Sequence, residues 1–285
     1  MRHAIHVHTH GAYADPRLVA ELAGEAEAAG WDGVFVSDHL QQRLGGAPSP
    51  IADPWVTLAA VAVATERVRI GPMVTPLPRR RPWQLAGEVV TLDRLSNGRV
   101  VLGVGSGIAT SFAPFGEQED ARVRGRMLEE SLDVLVGLWH GEPFTYRGEH
   151  YRVSGATFLP RPVQRPRVPI WVAGHWPHRV PFRRAARWDG LFVDGPNVDW
   201  TKGESIAVDD LRAAVAFTLA ERRALGLDGP FEVAIGGRTG DRAAQAERLA
   251  AWAEAGATWW VEAIYEGFDA PDAARERIRR GPVAR

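Results

Sequence analysis

From its first residues the chain repeats one pattern: a short apolar run, a polar or glycine-rich break, then a longer stretch with apolar residues three and four apart. Short runs bounded by turns read as strands, and the longer periodic stretches read as helices. The first run, about 3 to 8, is followed by Asp15-Pro16, an N-cap with proline at the first helical position, and LVAELAGEAEAA ends at Gly30. DGVFVSD is the next strand, and Asp53-Pro54 opens a second helix by the same device. VRIGPMV, a helix over roughly 80 to 96 closed by Asn97-Gly98, RVVLGVG and a helix from about 122 to 139 continue the series.

The rhythm breaks over 140 to 167. PFTYRGEHYRV predicts a hairpin turning at Arg147-Gly148, and Pro160, Pro162, Pro166 and Pro169 follow. VPIWVAG with a helix to Trp188, DGLFVDG with a long loop and a helix near 209 to 225, FEVAIGG with a helix at 241 to 255, and ATWWVEA with a helix near 271 to 280 complete the count at eight. Eight apolar strands, each followed by a helix, imply a parallel sheet covered on its outer face. They close most economically into a single-domain (β/α)8 TIM barrel with an insertion before the fifth strand; a doubly wound open sheet is the alternative.

Composition narrows the class. The 285 residues carry 34 Lys plus Arg against 35 Asp plus Glu, and only Lys202 is a lysine. A balanced charge argues against a nucleic-acid partner, which requires a concentrated basic surface. No run approaches 18 apolar residues and no signal-peptide order opens the chain, so the expectation is a soluble, cytoplasmic protein without membrane contact. With no cysteine, disulfides, thiolate ligands and thiol nucleophiles are excluded.

In a barrel, the chemistry gathers at the C-terminal ends of the strands. Those ends read His8-Thr9-His10, Ser37-Asp38-His39, Pro72 to Pro78, Gly103 to Gly107, Ala173-Gly174-His175-Trp176, Asp194-Gly195, Gly236-Gly237 and Glu262. The glycine-rich ends near 105 and 174 suit a phosphorylated cofactor, or simply tight turns. In AIHVHTHG the histidines alternate with Ile5, Val7 and Thr9, so His6 and His8 share the face that points into the barrel. One reading is a metal-dependent barrel hydrolase built on His6, His8 and His175 with Glu262. The other is a pocket in which His8 meets substrate, with His6 a hydrogen-bonded core residue and His10 on an exposed loop.

GWDGVFVSDHL, the block from Asp53 to Gly107, and VPIWVAG followed by FRRAARWDG resemble the bacterial-luciferase-like family of flavin- and deazaflavin-dependent oxidoreductases. The resemblance covers most of residues 1 to 195. It implies a (β/α)8 barrel, usually a homodimer, that binds FMN or coenzyme F420 non-covalently for hydride transfer or monooxygenation of a small organic substrate, in some members with a partner reductase. Carried over by position, His39 is the proton-transfer group and Asp38 contacts the cofactor. Met73, Thr75, Ser106, Gly107, Ser111, Ala173, Gly174 and His175 complete the cofactor site, and His8 and Trp176 line the substrate pocket. A non-prolyl cis peptide is expected at Pro72-Met73.

Two departures stand out. Ile108 occupies the place of the second proton-transfer acid of the sugar-phosphate dehydrogenases in this family. Their phosphate-holding lysine has no counterpart in DGPNVDW, with Lys202 several residues later. A hexose phosphate is therefore not the expected substrate, and a non-catalytic flavin-binding paralogue is a further alternative. An imidazole titrates near neutrality, which suits His39 to proton transfer, and Asp38 could fix its tautomer; a plain turn is the bland reading. Arg79-Arg80-Arg81 before a helix offers either an attraction for an anionic phosphate or the polyglutamate tail of F420 or, the reading preferred here, a solvated charge run. Among Trp171, Trp176, Trp259 and Trp260 a stacking partner for a flat ring is possible, although most of the 11 tryptophans are expected in the core.

Overall fold

The structure, a computed structural model, describes residues 1–44, 46–196, 198 and 204–283. In chain order it runs β1 (Arg2–Val7), α1 (Pro16–Ala28), β2 (Gly33–Val36), β3 (Gln42–Leu44), β4 (Ala47–Ser49), α2 (Pro54–Ala64), β5 (Arg69–Pro72), β6 (Thr75–Pro76), α3 (Pro82–Leu95), β7 (Leu102–Gly105), α4 (Ala109–Phe112) and α5 (Ala121–Trp139). It continues through β8 (Phe144–Arg147), β9 (Arg152–Ala156), β10 (Ile170–His175), α6 (Arg179–Ala185), β11 (Gly190–Asp194), α7 (Val208–Ala224), β12 (Glu232–Gly237), α8 (Arg242–Glu254), β13 (Trp259–Ile264) and α9 (Pro271–Arg279). The Asp-Pro reading of helix starts holds in detail. Asp15 accepts a hydrogen bond from the Arg17 amide, and Asp53 accepts from those of Trp55 and Val56, each with proline at the first helical position.

The sheet is parallel throughout, in the order β5-β2-β1-β13-β12-β11-β10-β7-β6. Its two ends are one stave. VRIGPMV does not form one unbroken strand: β5 pairs with β2, β6 pairs with β7, and the chain steps across the gap between them. The cis bond lies in that step, at Met73-Val74 and not at Pro72-Met73. Backbone bonds from Ile70 N to Arg99 O (3.1 Å) and from Val101 N to Ile70 O (2.8 Å) close the circle, so the fold is a (β/α)8 TIM barrel. Closure demands near contact of backbones, since a Cβ on Gly103 would sit 2.2 Å from the Pro72 carbonyl oxygen.

Alternation along β1 sorts the core. Ile5 and Val7 pack outward under the helices, while Ala4 joins Phe35, Val101, Trp171, Phe192 and Trp259 in a plug across the barrel interior. Burying such side chains contributes about 1.5–3 kcal/mol each. The predicted hairpin is β8–β9, the insertion before β10, the fifth stave; a second hairpin, β3–β4, was not foreseen. No helix among the described residues is long and apolar enough to cross a membrane.

Candidate active site

Above the plug, at the C-terminal ends of the strands, lies a cavity of about 480 Å3. It is lined by His6 of β1 and His8 just after it, Asp38 and His39 after β2, Met73, Val74, Pro76 and Arg79 around the split stave, Gly105 to Ile108 at the end of β7 with Ser111 beyond, and Ala173, Gly174 and His175 from β10. Six of the eight staves thus deliver residues to one volume, those of β12 and β13 contributing none. Pro181, Phe192 and Asp194 also line it; of these the sequence singles out only Asp194, as a strand end with no role assigned. The signal was present in GLFVD: alternation places Phe192 and Asp194 on one face, in register with Ala173 and His175.

The carboxylate of Asp38 is fully buried and bound twice, accepting from Thr75 Oγ1 at 2.8 Å and from Arg80 Nη2 at 3.0 Å. It makes no hydrogen bond to the imidazole of His39, so it does not set the tautomer of its neighbour in this arrangement. Thr75 accordingly supports Asp38 and does not itself line the cavity. The arginine run is solvated only at Arg81; Arg79 and Arg80 turn inward. Arg79 is almost wholly buried, binds Glu117 at 2.9 Å and lies over the Phe112 ring at 4.3 Å.

Burial sets the charge of the histidines. His6 is pushed down to about 3 by desolvation, with nearby His39 adding to the effect. His8 is held well below its ordinary value by desolvation first and then by His6, His39 and His10. His39 is also lowered, chiefly by burial and further by Arg79, with Asp38 pulling the other way. All three are therefore neutral at pH 7, and His39 is able to accept a proton. His8 Nε2 is sealed from bulk solvent without a hydrogen-bond partner among the described residues.

Three expectations are corrected. His10 is not on an exposed loop: it is 1% exposed, edge-on to Tyr265 at 4.8 Å and 3.8 Å from Glu266, because the chain after β1 folds under the β13 loop. Trp176 does not line the cavity, its ring lying against Phe182 at 5.2 Å and Phe217 at 6.2 Å. Trp171 and Trp259 belong to the plug and Trp260 stacks on Trp252 outside the barrel, so no tryptophan of the four faces a ring in the cavity.

The metal donor set is not assembled. Glu262 shares the outward phase of Ile5 and binds Thr239, Trp260 Nε1 and Arg277. Among the described residues, the one grouping of donors close enough to hold an ion is Glu130, Glu149 and His150, where the Glu130 carboxylate already accepts three backbone amides of the β8–β9 turn. Lys202 lies outside the described residues.

The loop after β7 takes a turn that only glycine fits. Gly107 has φ +68°, and a Cβ there would meet the buried Phe112 ring at 2.4 Å. Arg124 of α5 binds the carbonyls of Ser106 (3.0 Å) and Gly107 (3.4 Å) and faces Phe112 at 5.0 Å. Sequence reasoning passed over Arg124, whose helix position carries no chemical signature. Ser111 is held through its carbonyl and hydroxyl by Arg79. Ile108 stands at the rim, 65% exposed.

Comparison with known proteins places this geometry. The profile of the luciferase-like monooxygenase family matches residues 1–281. The chain is 38% identical over 206 residues to an F420-dependent glucose-6-phosphate dehydrogenase of Nakamurella multipartita, covering 70% of this chain and 57% of that protein. To the enzyme of the same description from Rhodococcus erythropolis it is 36% identical over 247 residues, covering 84% and 69%. The chain therefore spans little more than half of the first relative's length. Among solved structures, the coenzyme F420-dependent tetrahydromethanopterin reductase of Methanopyrus kandleri superposes with a TM-score of 0.79 at 16% identity, covering 98% of both chains. An F420-dependent secondary alcohol dehydrogenase superposes with a TM-score of 0.76 at 20% identity, covering 98% of this chain and 99% of the other. At such identities these two show a shared fold. Matched along nearly its whole length, the chain belongs to the luciferase-like monooxygenase family.

Proposed function

We propose that the cavity binds coenzyme F420 or FMN non-covalently and that the protein is an oxidoreductase acting on a small, uncharged organic molecule, with His39 as its proton-transfer group. The observation that carries this reading is a neutral, mostly buried imidazole on the wall of a glycine-edged cavity, beside a carboxylate locked in place by Arg80. The residues present fit a flat ring system with a phosphorylated tail. The volume is that of a cofactor site, the backbone of Ser106, Gly107, Ala173 and Gly174 is open to close approach, and His8 Nε2 offers an unmatched polar atom inside. Either cofactor, when bound, supplies the hydride chemistry. His39 then takes the proton of a substrate hydroxyl as the carbon–hydrogen bond is broken, or returns it in the reverse direction.

The F420-dependent relatives favour F420 over FMN. Their named substrate, glucose 6-phosphate, is less well supported. Among the described residues the cavity has one arginine or lysine, Arg79, already paired with Glu117, and burial holds the imidazoles of His6, His8 and His39 below their ordinary value, so a phosphate dianion would be desolvated there with little compensation. Anaerobic equilibrium titration with F420 and FMN, each oxidised and reduced, tests the cofactor. Tight binding of F420 alone supports a dehydrogenase or reductase, tight binding of reduced FMN points to a monooxygenase supplied by a reductase, and binding of neither overturns the reading.

A further inference from the structure

The barrel has a second mouth at the N-terminal ends of its strands, separated from the cavity above by the plug of Phe35, Trp171 and Trp259. A depression of about 270 Å3 opens there, with four guanidiniums, those of Arg2, Arg69, Arg165 and Arg167, around an apolar floor. Two of the four are neutralised. Arg167 forks onto Asp189, and Arg2 binds Glu232 while lying over the Trp259 ring. Both carboxylates are fully engaged: Asp189 also accepts from the Ile170 amide, and Glu232 also accepts from Thr258 and from Trp259 Nε1.

Arg69 and Arg165 are different. Each uses only Nη1, and only on uncharged oxygens: Arg69 on Gly98 O and Gln164 Oε1, Arg165 on Pro162 O and Gln164 O. Their Nε and Nη2 groups have no partner among the described residues, and no carboxylate balances either charge. The pair is also held in position. Gln164 is fixed by the wholly buried Asp93, which accepts from its amide nitrogens, and by Val100 O. Two prepositioned, uncompensated forks facing one depression are the arrangement that recognises a tetrahedral oxyanion.

We propose that this N-terminal mouth is a second binding site, for a small phosphate monoester gripped by Arg69 and Arg165 with its organic group on the floor formed by Val101 and Trp171. The volume limits that group to roughly the size of a phenyl ring, since pockets for larger ligands start near about 300 Å3. The site stands whether or not the upper cavity takes F420 or FMN.

The test is thermal melting and tryptophan-fluorescence titration of the full chain with phenyl phosphate and, separately, inorganic phosphate. Saturable stabilisation by phenyl phosphate, weakened about tenfold in Arg165→Ala and partly restored in Arg165→Lys, is the expected result. Arg165 is solvent-exposed, so its loss leaves folding intact; Arg69→Gln, closer to the core, is the second variant. Equal binding of both probes would reduce the ligand to free phosphate and overturn the monoester assignment. Binding by Arg165→Ala and Arg69→Gln as tight as by the parent, or no saturable binding at millimolar concentrations, overturns the site.

Discussion

Asp38 and Arg80 form the ion pair under the site: a buried carboxylate 3.0 Å from a guanidinium nitrogen, reached across the turn that begins helix α3. The pair holds the carboxylate of Asp38 on Arg80 and away from His39. Arg80→Met would strand that charge, so a loss of about 2–3 kcal/mol in unfolding free energy is expected, tempered by the partial exposure of Arg80. Urea denaturation of the parent, Arg80→Met, Asp38→Asn and the double variant reads the coupling directly. A double variant no more stable than the sum of the singles predicts would show that the pair contributes nothing.

His39→Ala is expected to reduce turnover by about two to four orders of magnitude while cofactor affinity changes far less. The check is to measure kcat and the cofactor dissociation constant on the same preparation. Collapse of affinity with normal turnover per bound cofactor would assign His39 to cofactor binding instead.

The buried histidines predict an acid-labile protein. Their folded pKa values lie below the unfolded value near 6.5, so in the window between them the unfolded chain binds more protons than the folded one. Stability is therefore fully present above about pH 6.5 and falls as pH drops toward the folded values, about 3 for His6. Each such histidine contributes a slope of up to about 1.4 kcal/mol per pH unit between pH 6 and 5. Denaturant unfolding at steps from pH 7.5 to 5 measures the slope, and His8→Asn should make it shallower. An unchanged slope in that variant would mean that His8 is protonated in the fold.

Arg124 draws the carbonyls of Ser106 and Gly107 toward α5, leaving the cavity side of that loop for the cofactor. Arg124→Ala should weaken cofactor binding about tenfold while leaving kcat at saturation nearly unchanged, because His39 is untouched. Titration and steady-state kinetics together separate this positioning role from a general loss of structure, which would lower both.

What the amino-acid order determined by itself is the periodic content: eight apolar runs, the Asp-Pro helix starts, the inward face of His6 and His8, and the Ser37-Asp38-His39 strand end. These follow from local geometry, a period of two in strands and 3.6 in helices, so they are legible without neighbours. Only the tertiary structure decided who meets whom. Whether Asp38 faces His39 or Arg80 depends on a side chain 42 positions away. His10 is buried by Glu266 and Tyr265 from the other end of the chain, Glu262 is turned outward by the register of β13 on β1, and Arg79 and Arg80 leave solvent because the split stave delivers them against Glu117 and Asp38. Charge pairing and burial are properties of space, and a linear pattern records only which groups are available to meet.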